Sequence, residues 1–72
     1  MNANITDLWA EIGKTAGEVY VNFVNKGEVK LSDAKKKVSK KELFEMAVGW
    51  LAREGKIQVL KQGNTMKIKI LP

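Results

Sequence analysis

The chain contains no cysteine and no histidine in its 72 residues. Without thiols it can form neither a disulfide framework nor a thiolate metal site, which fits a reducing compartment, and we expect a cytoplasmic protein. Without imidazole it lacks the commonest general base and the commonest metal ligand. No serine or threonine has a recognisable base beside it, and no phosphate-cradling glycine loop occurs. We therefore expect no enzymatic activity, no metal, no cofactor and no small-molecule substrate.

Long apolar runs are missing as well. No stretch approaches the ~20 residues that a membrane-spanning helix needs. No basic segment followed by an apolar run marks a signal peptide, so we expect no membrane association. The single proline is Pro72, which interrupts no helix or strand. We predict one domain over residues 1–72, with a small core, because a chain of this size buries only about 60% of its unfolded surface.

Acidic residues are scarce in the second half of the chain. Residues 35–72 contain ten basic residues against three acidic ones, a balance of +7, whereas residues 1–34 contain three against five, a balance of −2. This asymmetry favours an anionic partner for the C-terminal half. A solvated surface that keeps the protein soluble explains the same charges equally well.

The second half of the chain contains a helix, a stop and a hairpin in direct succession. Ser39 and Glu42 have the spacing of a capping box, in which each side chain binds a free amide of the first helical turn. Apolar residues then recur at helical spacing, namely Leu43, Ala47, Trp50 and Leu51. Gly55 follows where a helix usually turns left-handed and ends. We predict a helix that begins at Ser39 and ends at Gly55.

Residues 56–61 and 65–70 alternate like two paired strands. A two-residue turn at Gly63 and Asn64 needs positive φ, which these residue types tolerate. The pairs it predicts are Lys61 with Met66, Val59 with Ile68, and Ile57 with Ile70. One face of the hairpin is then mostly apolar and the other mostly basic or amide, and a slip of one residue would destroy that segregation.

The first half of the chain predicts a long helix from about residue 4 to about residue 25, because apolar residues recur at three- and four-residue steps. Gly27 would end it. Gly13 and Gly17 lie inside the helix, and each costs roughly 1 kcal/mol relative to alanine. A close approach by another helix, in the same chain or in a second subunit, would compensate for that cost.

Residues 28–31 alternate and predict a strand that joins the hairpin in a three-stranded sheet. Ser32 offers an N-cap for a short helix over residues 33–38. This helix and the next are joined so tightly that they form a helix-turn-helix. Trp9 and Trp50 each lie on an apolar stripe, so we expect both to be packed in the core.

Residues 50–57, WLAREGKI, resemble the junction between the third helix and the wing of winged helix-turn-helix domains. Together with residues 12–17, IGKTAG, and 48–51, VGWL, the whole chain resembles a small stand-alone winged-helix family of prokaryotes without an assigned function. The resemblance implies an α+β fold in the order helix, strand, helix, helix, strand, strand. It also implies a recognition helix and a wing. Many such domains bind DNA, but others dimerise or dock proteins.

Double-stranded DNA is the partner we expect first, in a module that acts in transcription. In a docked winged helix the third helix enters the major groove and the wing follows the phosphates or the minor groove. The candidate nucleic-acid-binding residues are Lys35, Lys36, Lys37, Lys40, Lys41, Arg53, Lys61, Lys67 and Lys69. They would make phosphate contacts, which position a duplex without reading its sequence. The alternative is that the lysine run is only a solvated helix face.

A homodimer or another protein partner is the second hypothesis. When the third helix is projected at 100° per residue, Met46 falls on the core side and Glu45 on the outer side, near Glu42. Two carboxylates there repel phosphate and make a poor base-reading surface. The candidate protein-interface residues are Val48, Gly49, Ala52 and Leu60. The sequence leaves open whether DNA is bound, which target is read, and the oligomeric state.

Overall fold

Three helices and one antiparallel sheet make up residues 7–72, the part of the chain that the computed structural model describes. The helices are Trp9–Phe23 (α1), Leu31–Lys35 (α2) and Phe44–Arg53 (α3), with a 3-10 turn at Lys41–Leu43. The strands are Glu28–Lys30 (β1), Ile57–Gln62 (β2) and Thr65–Ile70 (β3). Strand β3 lies between β1 and β2. The predicted α+β winged helix-turn-helix architecture is confirmed.

The wing hairpin has the predicted register. Val59 lies opposite Ile68, and the other predicted pairs, Lys61 with Met66 and Ile57 with Ile70, are also present. Gly63 has a φ of 61°, a left-handed conformation that glycine adopts at low cost. The register follows from the alternation of side chains, because only this pairing places the apolar residues of both strands on the side of the helices.

The core lies where α1, α3 and the sheet meet. Its largest fully buried apolar side chains are Val19, Phe44 and Ile68, one from each of these elements. Thr15 of α1 is buried as well, and its hydroxyl donates to the Glu11 carbonyl oxygen at 2.9 Å. That bond satisfies a polar group which would otherwise be costly to bury.

Helix α1 is shorter than predicted. The predicted start near residue 4 lies outside the described residues, but Asp7 and Leu8 are not helical, and the helix begins at Trp9. The Asp7 carboxylate accepts a hydrogen bond from the Trp9 amide at 2.9 Å, so it satisfies one of the free donors of the first turn. At the other end the helix ends at Phe23, because Val24 is already extended with a ψ of 133°. Asn25, with a left-handed φ of 64°, follows in the turn before Gly27.

Trp9 is 68% exposed, so its predicted place in the core is wrong. Trp50 is half-buried, and its ring centroid lies 4.5 Å from that of Trp9. The Trp50 ring also covers Gly13, where an added Cβ would lie 3.8 Å from it. An added Cβ on Gly17 would meet nothing within 4 Å. Of the two glycines that predict a close helix contact, only Gly13 has one, and the group that approaches it is the Trp50 ring.

Helix α2 covers residues 31–35 instead of the predicted 33–38. Strand β1 runs directly into it, and Lys30, in an extended conformation, occupies the N-cap position. Ser32 therefore lies inside the helix, and its predicted capping role is wrong. Leu31, the first residue of the helix, is half-buried and packs against the core.

The capping box predicted for Ser39 and Glu42 is also wrong. The Ser39 hydroxyl donates to Glu18 Oε2 at 2.7 Å, and the Ser39 amide donates to Glu18 Oε1 at 3.2 Å. A carboxylate on α1 thus takes both donors, and α3 begins only at Phe44, after the 3-10 turn. These hydrogen bonds from Ser39 lower the pKa of Glu18 below its ordinary value.

Replacing Ser39 with alanine is expected to reduce the acid sensitivity of the fold. A lowered pKa stabilises the folded state above the ordinary pKa of the carboxyl group, and this contribution is lost as the pH falls through the folded value. Wild-type protein should therefore lose more stability than Ser39→Ala between about pH 5.5 and about pH 3. Urea denaturation at both pH values measures the difference. Ser32→Ala is the control, and equal losses in all three proteins would contradict the prediction.

Candidate nucleic-acid interface

Helix α3 is rotated relative to the sequence-based projection. Val48 is 7% exposed and Met46 is 55% exposed, the reverse of the prediction. The buried residues are Phe44, Ala47, Val48 and Leu51. Both α1 and the sheet pack against α3, and together they select this apolar sector, centred on Phe44. Val48 therefore cannot contribute to a protein interface from an exposed position, and that part of the prediction is wrong.

The other candidate protein-interface residues do not form one surface. Gly49 and Ala52 are exposed on α3. Leu60 is half-buried and lies opposite Lys67 on the outer face of the sheet, whereas α3 packs against the inner face. The sheet thus separates Leu60 from the two α3 residues.

The exposed side of α3 has little capacity to read bases. It presents Glu45, Met46, Gly49, Ala52 and Arg53 to solvent. Arg53 is the one exposed side chain of the arginine, asparagine and glutamine group within α3. It lies in the last turn, while the third helices of helix-turn-helix proteins contact bases mainly through their N-terminal residues.

The three lysines of the predicted run on and after α2 have different surroundings. Lys35 Nζ lies 3.2 Å from Glu45 Oε2, and Lys36 Nζ lies 3.8 Å from Asp33 Oδ1. Lys37 has no carboxylate partner among residues 7–72, and it lines a separate surface pocket together with Lys26. The run is therefore not a uniform charged face.

Lys40 and Lys41 point toward the body of the protein. Lys40 Nζ lies 3.9 Å from Glu11 Oε1 on α1, and Lys41 Nζ donates to the Val38 carbonyl oxygen at 3.1 Å. Both remain exposed, but their ammonium groups are held at the junction before α3.

The wing lysines occupy both faces of the sheet. Lys67 and Lys69 project from the outer face, and Lys67 Nζ lies 3.8 Å from Glu28 Oε1 and donates to Gln62 Oε1 at 3.1 Å. Lys61 lies opposite Met66 on the other face, close to the turn. Within the described part of the chain neither Lys61 nor Lys69 has an ion pair.

A cleft of about 550 Å³ lies between α2, the start of α3 and the wing turn. Its charged lining residues are Lys30, Lys35 and Glu45. Its uncharged polar lining residues are Ser32, Asn64 and Thr65. The cleft combines two ammonium groups with hydroxyl and amide donors, which are the groups that bind phosphate oxygens. The Glu45 carboxylate is the opposing charge at this surface.

Most of this cleft is not evident from the amino-acid sequence. Lys30 belongs to a predicted strand and has no predicted role, because nothing in the sequence indicates that the last residue of β1 lies at the start of α2. Asn64 was predicted as a turn residue, and the turn was placed correctly. What could not be foreseen is that the turn lies beside Ser32, more than 30 residues earlier in the chain.

Residues 1–70 match a protein-family model described as "Winged helix-turn-helix domain (DUF2582)". The chain belongs to this winged helix-turn-helix family. A relative of this winged helix-turn-helix protein, "Uncharacterized protein MJ1608" of Methanocaldococcus jannaschii, is 43% identical over 68 residues. The match covers 89% of this chain and 96% of the relative. Among the helices of residues 7–72, none has the length and apolar character that crossing a bilayer requires.

Proposed function

We propose that this winged helix-turn-helix protein binds duplex DNA, acts in transcription, and works in the cytoplasm. The observation that supports DNA binding is the cleft between α2, α3 and the wing turn, where Lys30 and Lys35 are assembled with neutral polar groups. A concave, basic surface beside a recognition helix matches the docking mode of the fold, in which helix and wing contact the duplex together.

The duplex is held mainly through its phosphates. Helix α3 offers Arg53 alone among the usual base-reading residue types, and Glu45 opposes phosphate at the helix start. Lysines around the cleft and on the wing supply contacts that depend on charge and not on sequence. Binding is therefore steeply salt-dependent, and sequence selectivity is low.

Replacing Lys30 and Lys35 together with glutamine is expected to weaken duplex binding roughly tenfold at about 0.1 M salt, because Lys30 loses a phosphate contact, whereas Lys35 is already paired with Glu45. Each lost phosphate contact lowers the salt-dependence slope by about 0.9, which corresponds to somewhat less than tenfold in affinity at that salt concentration. Fluorescence anisotropy with a mixed-sequence duplex at about 50 and about 200 mM salt measures both quantities.

The matched control replaces Lys14 and Lys26 with glutamine. This pair removes the same charge from α1 and the loop after it, away from the cleft. It should change the affinity much less. Equal weakening in both double variants would show that net charge, not the cleft, drives binding. If the wild-type protein has no measurable affinity at low salt, DNA binding is ruled out.

A further inference from the structure

Strand β2 forms one edge of the sheet, because β3 lies between it and β1. It is six residues long, and its pairing with β3 is continuous from Ile57 to Gln62, so no bulge interrupts it. Natural proteins usually protect such an edge by a short strand, a bulge, charged residues or proline. The opposite edge, β1, has only three residues and leads directly into α2. Strand β2 contains one charged residue, Lys61, and no proline, so it is the less protected edge.

The backbone groups of Val59 and Lys61 point away from the sheet. A two-residue turn is closed by a hydrogen-bonded pair, which here is Gln62 and Thr65. Bonded and non-bonded pairs alternate along an antiparallel ladder, so Leu60 also bonds to β3, whereas Val59 and Lys61 do not. Both residues are exposed, and within residues 7–72 no other hydrogen bond uses their amide or carbonyl groups. These are the groups to which an added strand bonds.

The hairpin that carries this edge is strongly basic. Residues 56–70 contain four lysines and no carboxylate. Lys56 precedes β2, Lys61 lies near its end, and the other two lysines lie on β3. In the described part of the chain Lys67 alone among the four has an ion pair, with Glu28 on β1. Pairing of β2 with the β2 strand of a second copy would bring two such hairpins together, and they repel. The charge therefore favours a partner that carries carboxylates.

We propose that β2 binds an extended acidic segment of another protein, which adds a fourth strand to the three-stranded sheet. The segment lies antiparallel to β2, as the neighbouring strands of the sheet do, and exchanges hydrogen bonds with the backbone of Val59 and Lys61. Val59 lies opposite Ile68 on the inner face of the sheet and is 42% exposed. An apolar residue of the segment opposite Val59 covers this side chain. Carboxylates of the segment lie opposite Lys56 and Lys61.

This site is separate from the cleft that supports DNA binding. The strands that line the cleft are β1 and β3, through Lys30, Thr65 and Met66, and none of the described residues of β2 lines it. A segment on the β2 edge therefore leaves the cleft accessible. The proposal does not rest on the proposed function, so a failure to bind duplex leaves it unaffected.

Amide hydrogen exchange measured by NMR tests the proposal with an acetylated and amidated peptide, Glu-Glu-Val-Ile-Val-Glu-Glu. When its isoleucine lies opposite Val59 in an antiparallel pair, glutamates lie opposite Lys61 and Lys56. In the free protein the amides of Val59 and Lys61 should exchange fast and that of Leu60 slowly. Saturating peptide should slow exchange at Val59 and Lys61 at least about tenfold and leave Leu60 unchanged. We expect a dissociation constant of roughly 100–1,000 μM, because a short peptide loses much freedom on binding.

Two variants of β2 each remove one part of the match. Val59→Pro deletes an outward amide without breaking a bond to β3, and edge strands tolerate proline at such positions. Lys61→Glu places a carboxylate opposite the peptide glutamate and keeps every backbone group. Each should weaken peptide binding at least about fivefold in an NMR titration. Lys61→Glu decides the question by itself if circular dichroism shows that Val59→Pro does not fold.

Lys26→Glu is the matched control for Lys61→Glu. Lys26 is exposed in the loop after α1, and no ion pair involves it within residues 7–72. The change in net charge is the same, but it lies outside the hairpin. This control should bind the peptide within about twofold of the wild-type affinity, because salt screens distant charges.

Four results would each overturn the proposal. Slow exchange of Val59 and Lys61 in the free protein would mean that the edge is already occupied. A peptide that binds but slows neither amide would be held by charge alone. Equal weakening in Lys61→Glu and Lys26→Glu would lead to the same conclusion. If a mixed-sequence duplex shifts the Val59 and Lys61 amides and the peptide does not, the edge belongs to a nucleic-acid surface.

Discussion

Val48→Glu is expected to unfold the protein at ordinary temperature. Val48 is 7% exposed and belongs to the core cluster, so the new carboxylate would be buried without a partner. An uncompensated buried charge costs on the order of 3–5 kcal/mol. A chain of 72 residues has a total stability of only about 5 kcal/mol, so most molecules should lose their helical signal. Far-UV circular dichroism with urea denaturation measures the loss.

Met46→Glu is the matched control for this substitution. It introduces the same carboxylate two residues earlier on the same helix, where the side chain is 55% exposed. The change should alter the free energy of unfolding by no more than about 0.5 kcal/mol. A folded Val48→Glu variant together with an unfolded Met46→Glu variant would show that α3 has the orientation predicted from sequence, and not the one described above.

Glu45→Lys is expected to tighten duplex binding roughly 10- to 100-fold at about 0.1 M salt. The substitution removes a carboxylate that lies 3.2 Å from Lys35 Nζ, so this ammonium group becomes available to phosphate. It also adds a second cation at the cleft. Each new phosphate contact is worth somewhat less than tenfold at this salt concentration, and two contacts give the expected range. Anisotropy titration with the same mixed-sequence duplex measures the gain.

Glu54→Lys makes the same change in net charge after the end of α3, outside the cleft, at an exposed carboxylate that has no ion pair among residues 7–72. It should tighten binding only a few-fold, through long-range attraction that salt screens. An equal gain in both variants would mean that Glu45 has no special position relative to the DNA. No gain in Glu45→Lys would mean that the cleft does not face the duplex.

The two predictions test different consequences of one structural fact, the rotation of α3. Because Phe44 and Val48 face the core, Glu45 and Met46 face outward, and Glu45 reaches the cleft beside Lys35. With the rotation expected from sequence, Met46 would be buried and Val48 exposed. The orientation of this helix therefore decides both the stability of the fold and the charge of the candidate site.

The wing hairpin was predictable from sequence because its determinants are local. Side chains alternate with period two, and Gly63 permits the turn, so one register alone separates apolar from polar residues. The end of α3 was also predictable from a local feature. Gly55 follows the C-cap residue Glu54 and has a left-handed φ of 73°, as the sequence predicts. The order of helices and strands follows from such short-range patterns, and it was predicted correctly.

Contacts between distant residues were decided by the tertiary structure alone. Ser39 has the sequence of a helix cap, but Glu18, 21 residues earlier in the chain, lies within hydrogen-bond distance and takes its donors. Trp9 lies on an apolar stripe, yet the core is complete without it, and its ring packs on Trp50 at the surface. The spacing of apolar residues along the sequence predicts that a helix has an apolar face. Which part of that face is buried depends on the elements that pack against the helix. The cleft of Lys30, Lys35 and Asn64 exists for the same reason, since three separate elements must meet before it forms.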